Sequence, residues 1–171
     1  MDARALRAAQ GPLKDTYRED PAGAVVTLER SGVVGEGVTC SVDTGRTLAK
    51  AGLHPATGGD GMSLCSGDML LEALVACAGV TLSAVSTALG IELRAGTVHA
   101  QGDIDFRGTL GVSKEAPVGF RAIRLRFDVD TDAEDAAVKK MLELTERYCV
   151  VLQTIRSATA VESDLRRVAS T

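Results

Sequence analysis

The stretch CSGDMLLEALVACAGVTLSAVSTALG, Cys65–Gly90, sets one thiol, Cys77, in the middle of an otherwise apolar run. Its periodicity predicts a helix over Gly67–Leu89. Ser66 suits the N-cap, Asp68 puts a negative charge in the first turn, and Gly90 suits the position just past the end. Such a helix runs about 30 Å at 1.5 Å per residue. Leu70, Leu74, Cys77 and Thr81 form one stripe, and Leu71, Val75, Ala78, Leu82, Val85 and Leu89 another. Apolar side chains on nearly every side predict a helix enclosed by other elements. Asp68, Glu72 and several Ser, Thr and Gly residues argue for a buried helix rather than a membrane span.

Outward from this helix the patterns change. Upstream, AVVTLERSGVVGEGVTCSV (Ala24–Val42) predicts a strand, a turn near Ser31–Gly32, and a second strand with Val38, Cys40 and Val42 on one face. The Gly-rich connection that follows carries ATGGDG (Ala56–Gly61), which lacks the Lys-Ser/Thr ending of a phosphate loop and reads as turn punctuation. Downstream, IELRAGTVHAQGDIDF and FRAIRLRFDVD both alternate. In the second, Ile123, Leu125, Phe127 and Val129 lie on one face and Arg124, Arg126 and Asp128 on the other, a wet sheet face. Thr131 to Glu134 fits a capping box that opens a second helix, with Val138, Met141, Leu142, Thr145, Tyr148 and Cys149 at helical spacing. Strands, a buried helix, strands and a helix make an α+β fold with a largely antiparallel sheet. The chain reads as one domain over residues 1–171, with a helix or arm over 1–20 and a solvated tail over 162–171.

The bulk numbers bound the function. The chain has 171 residues, 45% hydrophobic and 25% charged, the profile of a globular protein with a sizeable core. A net charge of −4 and an aromatic share of 3% argue against nucleic-acid binding, which needs basic surface and stacking rings. The N-terminus has no apolar segment of signal-peptide type, so a cytoplasmic location with reduced thiols is expected. Four cysteines without a CxxC pair, and two histidines, imply no metal site.

Cys77 and Cys149 thus fall on the apolar faces of two different helices. Each alone fits core packing, the common fate of free cysteine. The segments that hold them, SGDMLLEALVACAGVTL and ERYCVVLQTI, resemble the two signatures of the OsmC/Ohr family of thiol-dependent hydroperoxide reductases. With the order of elements and the cysteine spacing, the resemblance spans Ala24–Ile155. It implies an intertwined homodimer without a cofactor, an organic hydroperoxide substrate, and an external dithiol reductant. By the same resemblance Cys77 matches the peroxidatic cysteine and Cys149 the resolving one. Asp68 falls where many members carry a glutamate, and Val150 replaces the proline that usually follows the second cysteine. The family also places an arginine from the early strands beside the reactive thiol. From its position at the first turn Arg30 is the candidate, with Arg46 and Arg18 as competitors.

The chemistry makes a demand of its own. Thiolate is the nucleophile, and an apolar surround raises a thiol's pKa, so Cys77 needs a cation or aligned donors to react. Its sequence neighbours are apolar, which predicts a cation from elsewhere in the fold. Among the remaining candidates, Cys65 lies beside a helix start, His54 in the Gly-rich loop raises a Cys–His nucleophile reading, and His99 falls on a polar strand face. Two rival functions remain: another cysteine-based redox chemistry on the same scaffold, or a dimeric binding protein for an apolar ligand with both cysteines as packing.

Overall fold

The computed structural model describes residues 2–19, 27, 32–34, 39–43 and 48–167. Helix α1 spans Ala3–Glu19 and opens with the Asp2 carboxylate accepting from the Ala5 N–H at 2.7 Å. Strands β1 (Gly32–Val34), β2 (Thr39–Asp43), β3 (Leu48–Gly52) and β4 (Leu64–Cys65) form a sheet in that order. The first three are antiparallel neighbours and β4 adds parallel to β3. Gly32 opens β1 and pairs with Val42, while Ser31, the other residue of the expected turn, lies outside the described residues. The first strand expected upstream lies mostly outside the described residues.

The Gly-rich connection is a tight crossing. His54 caps a short 3₁₀ turn, Pro55–Thr57, and Gly58 closes it at φ 91°. A Cβ on Gly59 would stand 1.8 Å from the Leu53 carbonyl oxygen, so only glycine fits that backbone approach. The glycines serve geometry here, as the punctuation reading expected.

Helix α2 spans Ser66–Leu89, with Cys65 rather than Ser66 at its N-cap and Gly90 in the left-handed region (φ 72°) at its end. Strands β5 (Ala95–Ile104) and β6 (Phe120–Asp130) form a second, antiparallel sheet, with a register shift at Asp103/Ile104. The long connection between them contains a single helical turn, α3 (Phe106–Thr109), capped by Asp105 through the Arg107 N–H at 3.1 Å. Helix α4 spans Asp135–Tyr148 and α5 Val150–Arg156. The expected capping box at Thr131–Glu134 is displaced, because its side chains are committed elsewhere. The Thr131 hydroxyl donates to the Glu92 carbonyl at 2.7 Å, and Asp132 pairs with Arg94. The helix starts one turn later, with Glu134 as N-cap.

The inward face of α2 builds two clusters. Leu74 and Ala78 pack with Cys149 and Leu152 of the C-terminal helices, and with Val98, Ala100, Ile123 and Leu125 of the second sheet. One turn on, Leu82 and Val85 pack with Met141 of α4 and with Phe127 and Val129. The alternation read in β6 therefore holds, and its Arg124, Arg126 and Asp128 face solvent. Helix α2 has the length and hydropathy of a membrane span, yet in this fold it packs against β5, α4 and α5. It is not enclosed on all sides in the single chain. Val80 keeps 73% of its surface exposed, and Leu70 and Leu89 are also exposed.

Candidate active site

Cys149 stands at the break between two helices. Its own N–H closes α4 by donating to the Thr145 carbonyl at 3.0 Å, and its carbonyl opens α5 by accepting from Gln153 N–H at 2.9 Å. The residue between has extended backbone (φ −71°, ψ 104°), so the chain turns there without a proline. The first amides of a helix have no partner within it. Those of Val150 and Val151 lie around the sulfur of Cys77, together with the Cys149 thiol and the Thr81 hydroxyl.

This arrangement decides the charge of each thiol. Burial pushes Cys77 up, but the Val151 amide, the Cys149 thiol, the Val150 amide and the Thr81 hydroxyl outweigh it, and Cys77 titrates below an ordinary thiol. Cys149 is fully buried, and burial holds it above the ordinary value. A charged Cys77 beside it adds to that rise, while the Leu152 and Val151 amides oppose it. One thiol is half-exposed with its pKa lowered; its neighbour is enclosed with its pKa raised. A thiol of lowered pKa ionises more readily and is the better nucleophile, and a second sulfur beside it can close a disulfide once the first is oxidised.

The largest lowering contributions to the Cys77 shift come from the Val151 amide, the Cys149 thiol, the Val150 amide and the Thr81 hydroxyl, the aligned donors that a reactive thiol needs. Arg30 and Arg46 lie outside the described residues, and Arg18 is described only by its backbone in α1. Asp68 is exposed in the first turn of α2, nine residues before Cys77, which is about 14 Å along the axis. None of the described ion pairs involves it. The Val150 and Val151 amides and Thr81 were missed in the sequence. The signal was there in part, since a valine in place of proline keeps an N–H at the first helical position.

The other candidates sit elsewhere. His54 accepts from Ala56 N–H at its Nδ1 (3.0 Å) and stacks on Phe106 with ring centroids 4.9 Å apart. With Cys65 and Asp68 it lines a cavity of about 350 Å³ at the start of α2, whose lining includes neither Cys77 nor Cys149. The Cys–His nucleophile reading gains no support for Cys77. His99 pairs with Asp128 at 3.0 Å on the solvent face of β5. Cys40 lies in β2, its side chain outside the described residues. No group of three or more His, Cys, Asp or Glu side chains that could hold a metal ion occurs among the described residues.

The family model of OsmC-like proteins matches residues 58–164, most of the chain and both thiol-bearing segments. This chain belongs to the OsmC-like protein family. Solved OsmC-like structures share its architecture at low identity. An OsmC-like protein of Mycoplasma pneumoniae superposes with a TM-score of 0.66 at 14% identity, over 78% of this chain and 89% of that one. An organic hydroperoxide resistance protein OsmC of Legionella pneumophila gives 0.61 at 14% identity, over 78% and 91%. An organic hydroperoxide resistance protein of Elizabethkingia anophelis gives 0.58 at 14% identity, over 79% and 91%. No curated protein matches the chain. The OsmC-like fold, with its long central helix and antiparallel strands, is thereby the fold of this chain.

Proposed function

We propose that this OsmC-like protein is a thiol-dependent peroxidase that reduces organic hydroperoxides. The Cys77 thiolate attacks the terminal peroxide oxygen, the O–O bond breaks, and the alkoxide leaves and takes up a proton as the alcohol. Cys77 is then a sulfenic acid. The Cys149 thiol attacks its sulfur, the S–O bond breaks, and the hydroxyl leaves with the Cys149 proton as water. The resulting Cys77–Cys149 disulfide is reduced by an external dithiol through thiol–disulfide exchange. The observation that carries this reading is the meeting of a depressed and an elevated thiol where α5 begins.

Two further parts complete the reading. Arg30 supplies a guanidinium to the thiolate and the departing alkoxide, and Asp68, with no ion pair of its own among the described residues, orients that guanidinium. A second copy of the chain covers the apolar surface that one copy leaves open, including Val80, Met62 and Val118 at 73%, 85% and 67% exposure.

The test is consumption of cumene hydroperoxide with a dithiol reductant by wild type, Cys77→Ser and Cys149→Ser. Wild type turns over, and each substitution abolishes steady turnover. If all three consume peroxide equally, both cysteines are packing. Activity lost only with Cys77→Ser points instead to a one-cysteine chemistry.

A further inference from the structure

In a continuous helix each N–H bonds the carbonyl four residues back, which would give the Val150 N–H to the Glu146 carbonyl. Helix α4 ends at Tyr148 instead, and the Val150 and Val151 amides lie around the Cys77 sulfur. The last carbonyls of a helix then have no partner within it. That of Glu146 has one from across the break: the Gln153 side-chain amide of α5 donates to it at 2.8 Å. The Glu146 carboxylate also meets the Arg156 guanidinium at 3.2 Å, so one residue of α4 is tied to two positions of α5.

Both ties belong to the broken helix alone. A continuous helix would set Gln153 about 10.5 Å and Arg156 about 15 Å beyond Glu146 along its axis. Neither bond spans that distance. A contact made in only one of two conformations favours that conformation by its whole strength. The alternative is a real competitor here, because Val150 carries an N–H that the Glu146 carbonyl can reclaim, whereas proline would carry none. Helix α5 has seven residues, so merging with the 14-residue α4 would extend an existing helix rather than nucleate one. The Arg156 pair is half-exposed and weak, which leaves the Gln153 amide as the main tie.

We propose that Gln153 is a positioning residue for Cys77: by holding the Glu146 carbonyl across the break, it keeps α4 and α5 as two helices and the Val150 N–H on the sulfur. Gln153 acts through Val150. The inference deepens the peroxidase reading and rests on it for what the thiol reacts with, while the hydrogen bonds alone carry the positioning. Among the largest contributors to the ionisation of Cys77, the titratable one is the Cys149 thiol, whose own titration lies higher.

The test is the pH profile of iodoacetamide alkylation of reduced protein, read at the Cys77 peptide by mass spectrometry. Gln153 is exposed, and methionine and lysine match glutamine as helix formers, so Gln153→Met and Gln153→Lys both fold. Gln153→Met raises the midpoint by about one pH unit, the worth of one hydrogen bond to a charged sulfur. Gln153→Lys still carries a donor and keeps the wild-type midpoint. In Val150→Pro there is no N–H to reclaim, and adding Gln153→Met moves the midpoint no further. An unmoved midpoint in Gln153→Met overturns the proposal. So does an equal rise with and without Val150→Pro, which would make Gln153 a general support of α5. A wild type that consumes no hydroperoxide sinks the peroxidase reading and leaves these midpoints standing.

Discussion

Cys149 has no exposed surface and Cys77 keeps some, yet their side chains interact across the α2–α5 contact. The relationship separates their roles before any reaction is considered. The thiol that an incoming molecule can reach is the one whose pKa the surrounding donors lower.

The Val150 amide is one of those donors, and proline has no N–H. Val150→Pro keeps the fold, because proline fits the first position of a helix. It removes one hydrogen bond from the Cys77 thiolate. A bond to a charged group contributes about 1.5 kcal/mol, so alkylation of Cys77 by iodoacetamide at neutral pH slows about tenfold. An unchanged rate removes Val150 from the account.

The two thiols make opposite contributions to stability as pH changes. Cys77 titrates below its unfolded value near 9.0. Its contribution is therefore complete above pH 9 and is lost as pH falls through the lower folded value. Cys149 titrates above 9.0, so its contribution is complete below that pH and is lost as pH rises through the higher folded value. Urea unfolding of reduced protein gives the check. From neutral pH to pH 9 wild type gains stability relative to Cys77→Ser, and above pH 9 it loses stability relative to Cys149→Ser.

Leu74 is fully buried against Ala78, Cys149 and Leu152. Leu74→Ala opens a cavity under the pair and costs about 2–5 kcal/mol in urea unfolding. The thiolate itself is held by α5 amides, so the substitution also slows Cys77 alkylation as α5 loosens. Lost stability with unchanged alkylation separates the core from the site.

Gly59 has a neighbouring backbone oxygen where a side chain would begin. Gly59→Ala therefore destabilises the chain by about 1–3 kcal/mol through forced backbone movement, read as a lower midpoint in urea. Gly11 meets nothing within 4 Å, and Gly11→Ala is neutral or slightly stabilising in its helix.

Elements with long, regular patterns were legible in the sequence. The helix of Cys77, the alternation of β6 and the helix leading to Cys149 follow from spacing alone. The displaced start of α4 was not, because Thr131 and Asp132 answer to Glu92 and Arg94, partners that only the tertiary fold supplies. Strand β4 is two residues long and owes its existence to parallel pairing with β3, which no local pattern encodes. In the site, the two cysteines could be named from their motifs. The agents that set their charge could not, since an amide N–H belongs to every residue except proline and becomes a donor only where a helix begins. The enclosure expected for α2 is incomplete because its apolar residues outnumber the surfaces that one chain brings to them.

Disulfide mapping tests the central claim most directly. Reduced protein is treated with one equivalent of cumene hydroperoxide, blocked at once with a thiol reagent, and digested without reductant for mass spectrometry. The account requires a linked peptide pair holding Cys77 and Cys149, with Cys65 and Cys40 carrying the blocking group. Recovery of Cys149 in its blocked form while Cys77 is oxidised further, or is joined to another cysteine, contradicts it.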